Sequence, residues 1–312
     1  LGGRRHKNTQ RVITRLKSFL VGAGSTEIFP ITLVDNTLAK RLGISETAVK
    51  LINPLSEEMA VIRPNMIISM LPVIKRNLNF KEKDLFLFEI GDIYQPSEKS
   101  LPSQKERLII AMTGFETPVF WGENQRKRDI YSMKGLLEDI ADHFGLGRVK
   151  LSPAAHFAFE QSLSFEVYIG EVMLGHAGQL SKECRSSAEI KSEVYLVELD
   201  LEKIIDIVHE SSEAQGLDRF PSADRDIAII VDENVKAGDI LAEINSNSNG
   251  LAGDVWIFDM YRGKNIPQNK KSLAFGIKYR LMDRTLTDRE VDEAHNRITN
   301  ALKAKFKAEL RS

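Results

Sequence analysis

The chain has 312 residues, with 43 Lys plus Arg against 44 Asp plus Glu and a formal net charge of -1. That balance excludes a protein drawn to nucleic acid or membrane by its overall field, so any polyanion contact must be local. One cysteine, Cys184, excludes an intrachain disulfide and a Cys-rich zinc site, and no apolar run approaches the roughly 18 residues of a membrane span.

At about 150 residues per domain, the length suggests two domains. The opening Leu1-Gly2-Gly3 carries no Met, and the chain reads as the C-terminal part of a longer protein, or as a processed or cloned fragment. A helix is expected first, with Val12, Leu16, Phe19, Leu20 and Ala23 on one face and Gly24 at its stop. It is basic: Arg4, Arg5, Lys7, Arg11, Arg15 and Lys17 precede the first acid, Glu27. A solvated face and a polyanion or partner contact both fit. A strand follows over Glu27–Val34, then a helix after Pro64 with Met66, Met70, Ile74 and Leu78 in a stripe. Strands are expected over Leu85–Tyr94 and Arg107–Thr113, and a helix over Asp129–Phe144 ending at Gly145. Further strands cover Ser162–Ile169, Glu171–Leu180 and Val194–Asp200, and a helix covers Leu201–Val208. Strands that follow one another directly argue for an antiparallel sheet carrying a few helices, an α+β class. Ser211–Gly216 is small, polar and aperiodic, and is the expected domain boundary between 1–210 and 218–312.

The last segment reads as strand Ile227–Asp232, helix Ala237–Ser246, strands Asp254–Tyr261 and Ser272–Arg280, helix Thr287–Phe306 and a closing strand Ala308–Arg311. Thr287 and Glu290 form a capping box at the long helix. The order βαββαβ is ferredoxin-like. Alternation sends Ile227, Ile229, Val231, Trp256, Phe258, Met260, Leu273, Phe275, Ile277 and Tyr279 toward the helices. It leaves Ala228, Ile230, Val255, Ile257, Asp259, Tyr261, Ser272, Ala274, Gly276, Lys278 and Arg280 on the other face. Small residues there let a flat ligand approach the backbone. Tyr261 offers a stacking surface worth about 1–3 kcal/mol per base, and Asp259 can accept hydrogen bonds from a base edge, as splayed RNA is read on sheets. A face that packs on a neighbouring domain is the competing reading. The loop between the two central strands carries Arg262, Lys264, Lys270 and Lys271, candidates with Arg280 for phosphate contacts.

Several motifs stand in order along this segment: Arg219-Phe220-Pro221, Arg225-Asp226-Ile227-Ala228, Phe258-Asp259-Met260-Tyr261-Arg262-Gly263, Lys271-Ser272-Leu273-Ala274-Phe275, Arg284–Val291 and Glu309-Leu310-Arg311. Together they resemble the ferredoxin-fold anticodon-binding domain that ends the bacterial phenylalanyl-tRNA synthetase β subunit. Upstream, Phe19–Gly24, Asn53-Pro54-Leu55-Ser56 with Met59 and Arg63, Leu87-Phe88-Glu89-Ile90-Gly91 and Met133-Lys134-Gly135 resemble that subunit's module shaped like a class II synthetase core. The resemblance implies a class II synthetase-like antiparallel sheet with helices, followed by the ferredoxin-like domain. It implies a partner α subunit in an (αβ)2 heterotetramer, tRNA(Phe) as the bound RNA, ATP and magnesium for the holoenzyme, and a cytoplasmic location. Site residues carried by motif are Asp259 and Tyr261, with Ser272 and Ala228 on neighbouring strands. Tyr261 would stack on the first anticodon base, a guanine, whose N1–H and N2–H would donate to Asp259.

Catalysis is not expected from this chain itself. Class II adenylate formation uses an Arg-x-Glu after the motif 2 strand, but Tyr94-Gln95-Pro96 follows Leu85–Tyr94. Gly175–Leu180 is the nearest match to motif 3 and lacks its Arg, so a plain strand is expected there. The apolar stripes of Thr9–Ala23 and Pro64–Leu78 are then candidates for the α-subunit interface, with core packing as the ordinary alternative. His156-Phe157-Ala158-Phe159 departs from the family's His-Pro-Gly-Arg. Trp121 is expected to bury its ring against the sheet. An amino-acid-sensing regulatory module and a bare interaction scaffold are the alternatives of other classes, since the fold does not fix function.

Overall fold

A computed structural model describes residues 2–98, 101–122, 124–210, 220–264, 266–281 and 283–311, without the side chains of 2–8, 209 and 210. The expected linker Ser211–Gly216 and Arg219 lie outside them. The chain divides into two compact units, Leu1–Glu213 and Ala214–Ser312.

In the first unit, α1 (Gly2–Gly22) leads to β1 (Thr26–Glu27), β2 (Leu33–Val34), α2 (Asn36–Arg41), β3 (Val49–Lys50), β4 (Val61–Ile62) and α3 (Ile67–Asn79). Then come β5 (Leu85–Gln95), β6 (Ser103–Thr113), α4 (Ile130–Phe144), β7 (Val149–Pro153), β8 (Phe159–Ile169), β9 (Val172–Leu180), α5 (Lys182–Ser187), β10 (Tyr195–Asp200) and α6 (Leu201–Glu210). A seven-stranded sheet runs β1-β5-β6-β10-β9-β8-β7, antiparallel except for the β1–β5 pair. Apolar side chains of its central strands pack against helices on both faces. Phe86, Phe88, Leu108, Ile110 and Val197 pack with α1, α4 and α6 on one side. Leu85, Leu87, Ile109 and Leu196 pack with α2, α3 and α5 on the other.

Two expectations fail here for local reasons. The single strand over Glu27–Val34 is two short pieces in different sheets, β1 beside β5 and β2 beside β4. Pro30 between them has no N–H for a ladder. The helix after Pro64 begins only at Ile67, since Arg63 is held extended, its N–H donating to Thr32 O and its carbonyl accepting from Tyr94 N. The apolar stripes proposed as partner interfaces are spent internally. Val12, Leu16 and Leu20 of α1, and Met66, Met70 and Ile74 around α3, are buried in this unit's own cores. On α1, Arg15 donates to the His143 carbonyl and Lys17 pairs with Glu27, so these two cations brace the fold.

In the second unit, β11 (Ala223–Asp232), α7 (Ala237–Asn247), β12 (Ala252–Tyr261), β13 (Lys270–Tyr279), α8 (Asp288–Phe306) and β14 (Glu309–Leu310) follow the βαββαβ order, with sheet order β12-β13-β11-β14. Ile227, Ile229, Val231, Leu273, Phe275, Ile277 and Tyr279 bury against Ile240, Ile244, Val291, Ile298 and Leu302 of the two helices. The Arg284–Glu290 stretch is a structural clasp. Thr287 caps α8, and the Glu290 carboxylate accepts from the Thr287 N–H and from both Nη atoms of Arg284.

Candidate nucleic-acid interface

Both helices of this unit pack on one face of the small sheet, and among its described residues no helix packs on the other, where cross-strand neighbours line up in rows. Tyr261, Ser272 and Ile230 form one row, Asp259, Ala274 and Ala228 the next, and Trp256, Gly276 and Asp226 a third. Asp254, Lys278 and Asp224 form the fourth. All four residues expected to hold a base, Ala228, Asp259, Tyr261 and Ser272, therefore share two adjacent rows. Asp259 is exposed, Tyr261 is 37% exposed, Ala228 is half-buried and Ser272 is buried.

One strand breaks the expected alternation. The β12–β13 register shifts between Ile257 and Asp259, an edge-strand bulge at Phe258. Upstream of it, Val255 and Ile257 sit opposite Ile277 and Phe275, on the helix side, and Trp256 sits opposite Gly276, on the open side. The expected assignment of Val255, Ile257 and Trp256 is thus reversed. A strict period of two holds only while each residue has one partner, and the bulge adds an unpaired residue. Phe258 and Met260 were expected in the core but are each 53% exposed.

Arg311 joins this face beside the candidate residues, a position that the terminal motif Glu309-Leu310-Arg311 does not by itself assign to it. Its guanidinium stands 5.0 Å from the Tyr261 ring centroid, one Nη donates to Ser272 Oγ at 3.3 Å, and its N–H donates to the Ala228 carbonyl at 2.9 Å. The signal was present: Glu309 pairs with Ile230 on the open side, and two residues further along a strand return to the same side. Gly263 leaves room for the Tyr261 phenol, which a Cβ there would strike.

The candidate phosphate contacts differ in how far they are committed elsewhere. Arg262 forms a fork with the Glu233 carboxylate, at 3.1 Å from Nε and 2.5 Å from Nη2, which holds Glu233 below the usual carboxylate range. Lys271 donates to the Glu233 carbonyl at 2.7 Å, and Lys270 pairs with Glu309 at 2.5 Å. Lys264 is exposed. Arg280 lies beyond the end of β13, against Gly253.

The large sheet offers polar groups of another kind. Glu89, Ile109, Glu198, His176 and Glu166 stand side by side across β5, β6, β10, β9 and β8. Arg63 reaches Glu89 at 2.7 Å, both nearly fully buried, and also donates to the Asp92 carbonyl and Ser69 Oγ. Burial pushes Glu198 up to about 7, and its carboxylate accepts the Met66 N–H at the start of α3. Arg63 and the Met66 N–H thus answer Glu89 and Glu198, while His176 and Glu166 further along the row are half-buried. β10 runs straight into α6, and β9, which holds Gly175–Leu180, leads through the Ser181 cap into α5, whose Arg185 is turned to the Leu180, Lys191 and Ser192 carbonyls. Gly175 has no space for a side chain, because a Cβ would strike the Glu198 carbonyl. Cys184 is buried, which raises its thiol to about 11. Trp121, expected against the sheet, is 93% exposed beside Phe120 and Val119.

A four-stranded βαββαβ sheet with helices on one face, and with rings, a carboxylate and an arginine on the other, defines a ferredoxin-like domain. Residues 218–311 match the family model described as "Ferredoxin-fold anticodon binding domain". Residues 1–201 match "Phenylalanyl tRNA synthetase beta chain CLM domain", and the chain belongs to the phenylalanyl-tRNA synthetase β-chain family. It is 33% identical over 308 residues to the phenylalanine–tRNA ligase β subunit of Syntrophotalea carbinolica, covering 96% of this chain and 38% of that protein. The corresponding subunit of Geobacillus kaustophilus is 35% identical over 301 residues, with 95% and 37% covered. The chain thus spans well under half the length of these relatives. A pyrrolysyl-tRNA synthetase from Desulfitobacterium hafniense aligns at 16% identity and TM-score 0.49 over 67% of this chain and 74% of its own.

Proposed function

We propose that this chain supplies the anticodon-holding and scaffolding parts of a phenylalanine–tRNA ligase β subunit, and that its own residues carry none of the adenylate chemistry. The reading is carried by one observation: Tyr261, Asp259, Ser272 and Ala228 meet on two rows of an uncovered sheet face. A ring with a carboxylate one row away suits a guanine. The ring takes the base face, and the carboxylate takes donors on its Watson–Crick edge. Small neighbours at Ala228 and Ala274 let the base approach the sheet.

The first unit serves as scaffold for a catalytic α subunit in an (αβ)2 assembly, in the cytoplasm. ATP and magnesium act on that α subunit. Because the stripes of α1 and α3 are buried, the contact surface lies among exposed apolar side chains such as Trp121, Val119, Phe29 and Ile31. Arg262, Lys270 and Lys271 are engaged within the domain, so phosphate contacts here are few, in keeping with the near-neutral charge.

A fluorescent tRNA(Phe) anticodon stem-loop, with a changed-anticodon control, tests the RNA reading. Binding of the cognate loop above the control is expected, and equal or absent binding sinks it. Co-purification with a catalytic α chain is the expected result for the partner, and its failure removes the scaffold role.

A further inference from the structure

We infer that Trp256 is a second stacking platform on the open sheet, for another unpaired base of the RNA strand that Tyr261 engages. The inference rests on reading this face as the anticodon site. Counting back from Tyr261 by twos sends Trp256 to the helix side, and only the bulge at Phe258 turns it outward. Its indole lies over Gly276, where a Cβ would collide with Cε2, Cζ2 and Cη2 of the ring. One face of the ring is seated on backbone, and the side chain is still 42% exposed. A large aromatic held in this way has little freedom left to lose when a base covers it.

The spacing agrees with a splayed strand. Gly276 beneath Trp256 and Ser272 beside Tyr261 are four residues apart on β13, about 13 Å at strand rise. Stacked neighbours in a nucleic-acid helix are only about 3.4 Å apart. Rings at this separation therefore engage bases that have left the stack, with the Asp259, Ala274 and Ala228 row between them. The charges agree as well. Asp226, Asp254 and Asp259 are exposed in the rows around the indole, with one half-buried cation, Lys278, between Asp254 and Asp224, and this excess of carboxylates favours base edges rich in donors over phosphates. Trp256 therefore meets the face of a base, and the sugar–phosphate chain runs outside the carboxylates.

The chain has only two tryptophans, so Trp121→Phe leaves Trp256 as the sole indole reporter. Titration with the anticodon stem-loop is expected to quench its emission in step with binding. W256A is expected to weaken binding about tenfold, and W256F, which keeps a ring, to restore most of it. Abasic substitutions walked along the loop should find one position where W256A and wild type bind equally. Unmoved Trp256 emission with W256A binding like wild type, while Y261A binds more weakly, overturns the second platform and leaves the anticodon reading standing. No binding of the stem-loop by wild type overturns both.

Discussion

The two larger sheets among the described residues treat polar side chains in opposite ways. The seven-stranded sheet carries helices on both faces, and several polar groups among its strands are paired internally, although Glu89 Oε2, Arg107 Nε, Ser164 Oγ and His176 Nδ1 find no partner among the described residues. Arg63 meets Glu89, Glu198 receives the first turn of α3, and Arg107 pairs with Asp200 at 2.9 Å. The four-stranded sheet is covered on one face only, and its other face presents Asp259, Tyr261, Trp256 and Arg311. Buried charges need partners, because desolvation costs several kcal/mol per ion. Groups at a solvated face do not, and remain available to a ligand. Whether a sheet face is closed or open therefore decides whether its polar groups stay available to a ligand.

Removing Arg63 is the hardest blow to this contrast. Arg63→Met should cost the first unit about 3–5 kcal/mol in urea unfolding, because the Glu89 carboxylate is left buried without its partner. A loss below about 1 kcal/mol would mean that the face is wetter than its geometry indicates. Glu198 comes next. Its folded value of about 7 lies above the ordinary 4.5, so the folded state holds the proton more tightly than the unfolded state. Stability associated with Glu198 is present below pH 4.5 and is lost as pH rises to about 7, at about 1.4 kcal/mol per unit. Melts of wild type and Glu198→Gln across this window should diverge, with the variant nearly flat. Parallel curves would show an ordinary carboxylate.

On the open sheet, Tyr261→Ala should weaken stem-loop binding by about 1–3 kcal/mol while the melting curve holds. A filter-binding assay at wild-type affinity would remove the stacking role. The smallest effect is expected at Trp121, whose ring is 93% exposed. Trp121→Ala should shift stability by no more than about 0.5 kcal/mol, as at other surface sites. A larger loss in the isolated chain would place the ring in contacts that the fold does not show.

Much of the open site was legible because local rules govern it. The capping box at Thr287 set the start of α8, and alternation on β11 and β13 placed Ala228, Ser272, Ala274 and Gly276 on one side. Asp259 and Tyr261 were also placed correctly, because both follow the bulge. Trp256, Val255 and Ile257 were not, since a bulge is an extra residue in a ladder and a composition pattern carries no mark of it. Arg311 was within reach of the same alternation but lay past the short β14.

The amino-acid order alone carried the long helices and strands, the βαββαβ order and which residues are too small to cover a sheet, because these depend on neighbours a few positions away, whereas the short α2, α5 and β7 carry too little pattern to be read. Tertiary structure decided which face stays open, that the stripes of α1 and α3 are consumed at home, and that Arg311 lies on Tyr261. These outcomes join residues that are far apart in the chain. Glu198 and Met66 are separated by 132 positions and Arg311 and Ser272 by 39, and only packing brings such partners within hydrogen-bond reach.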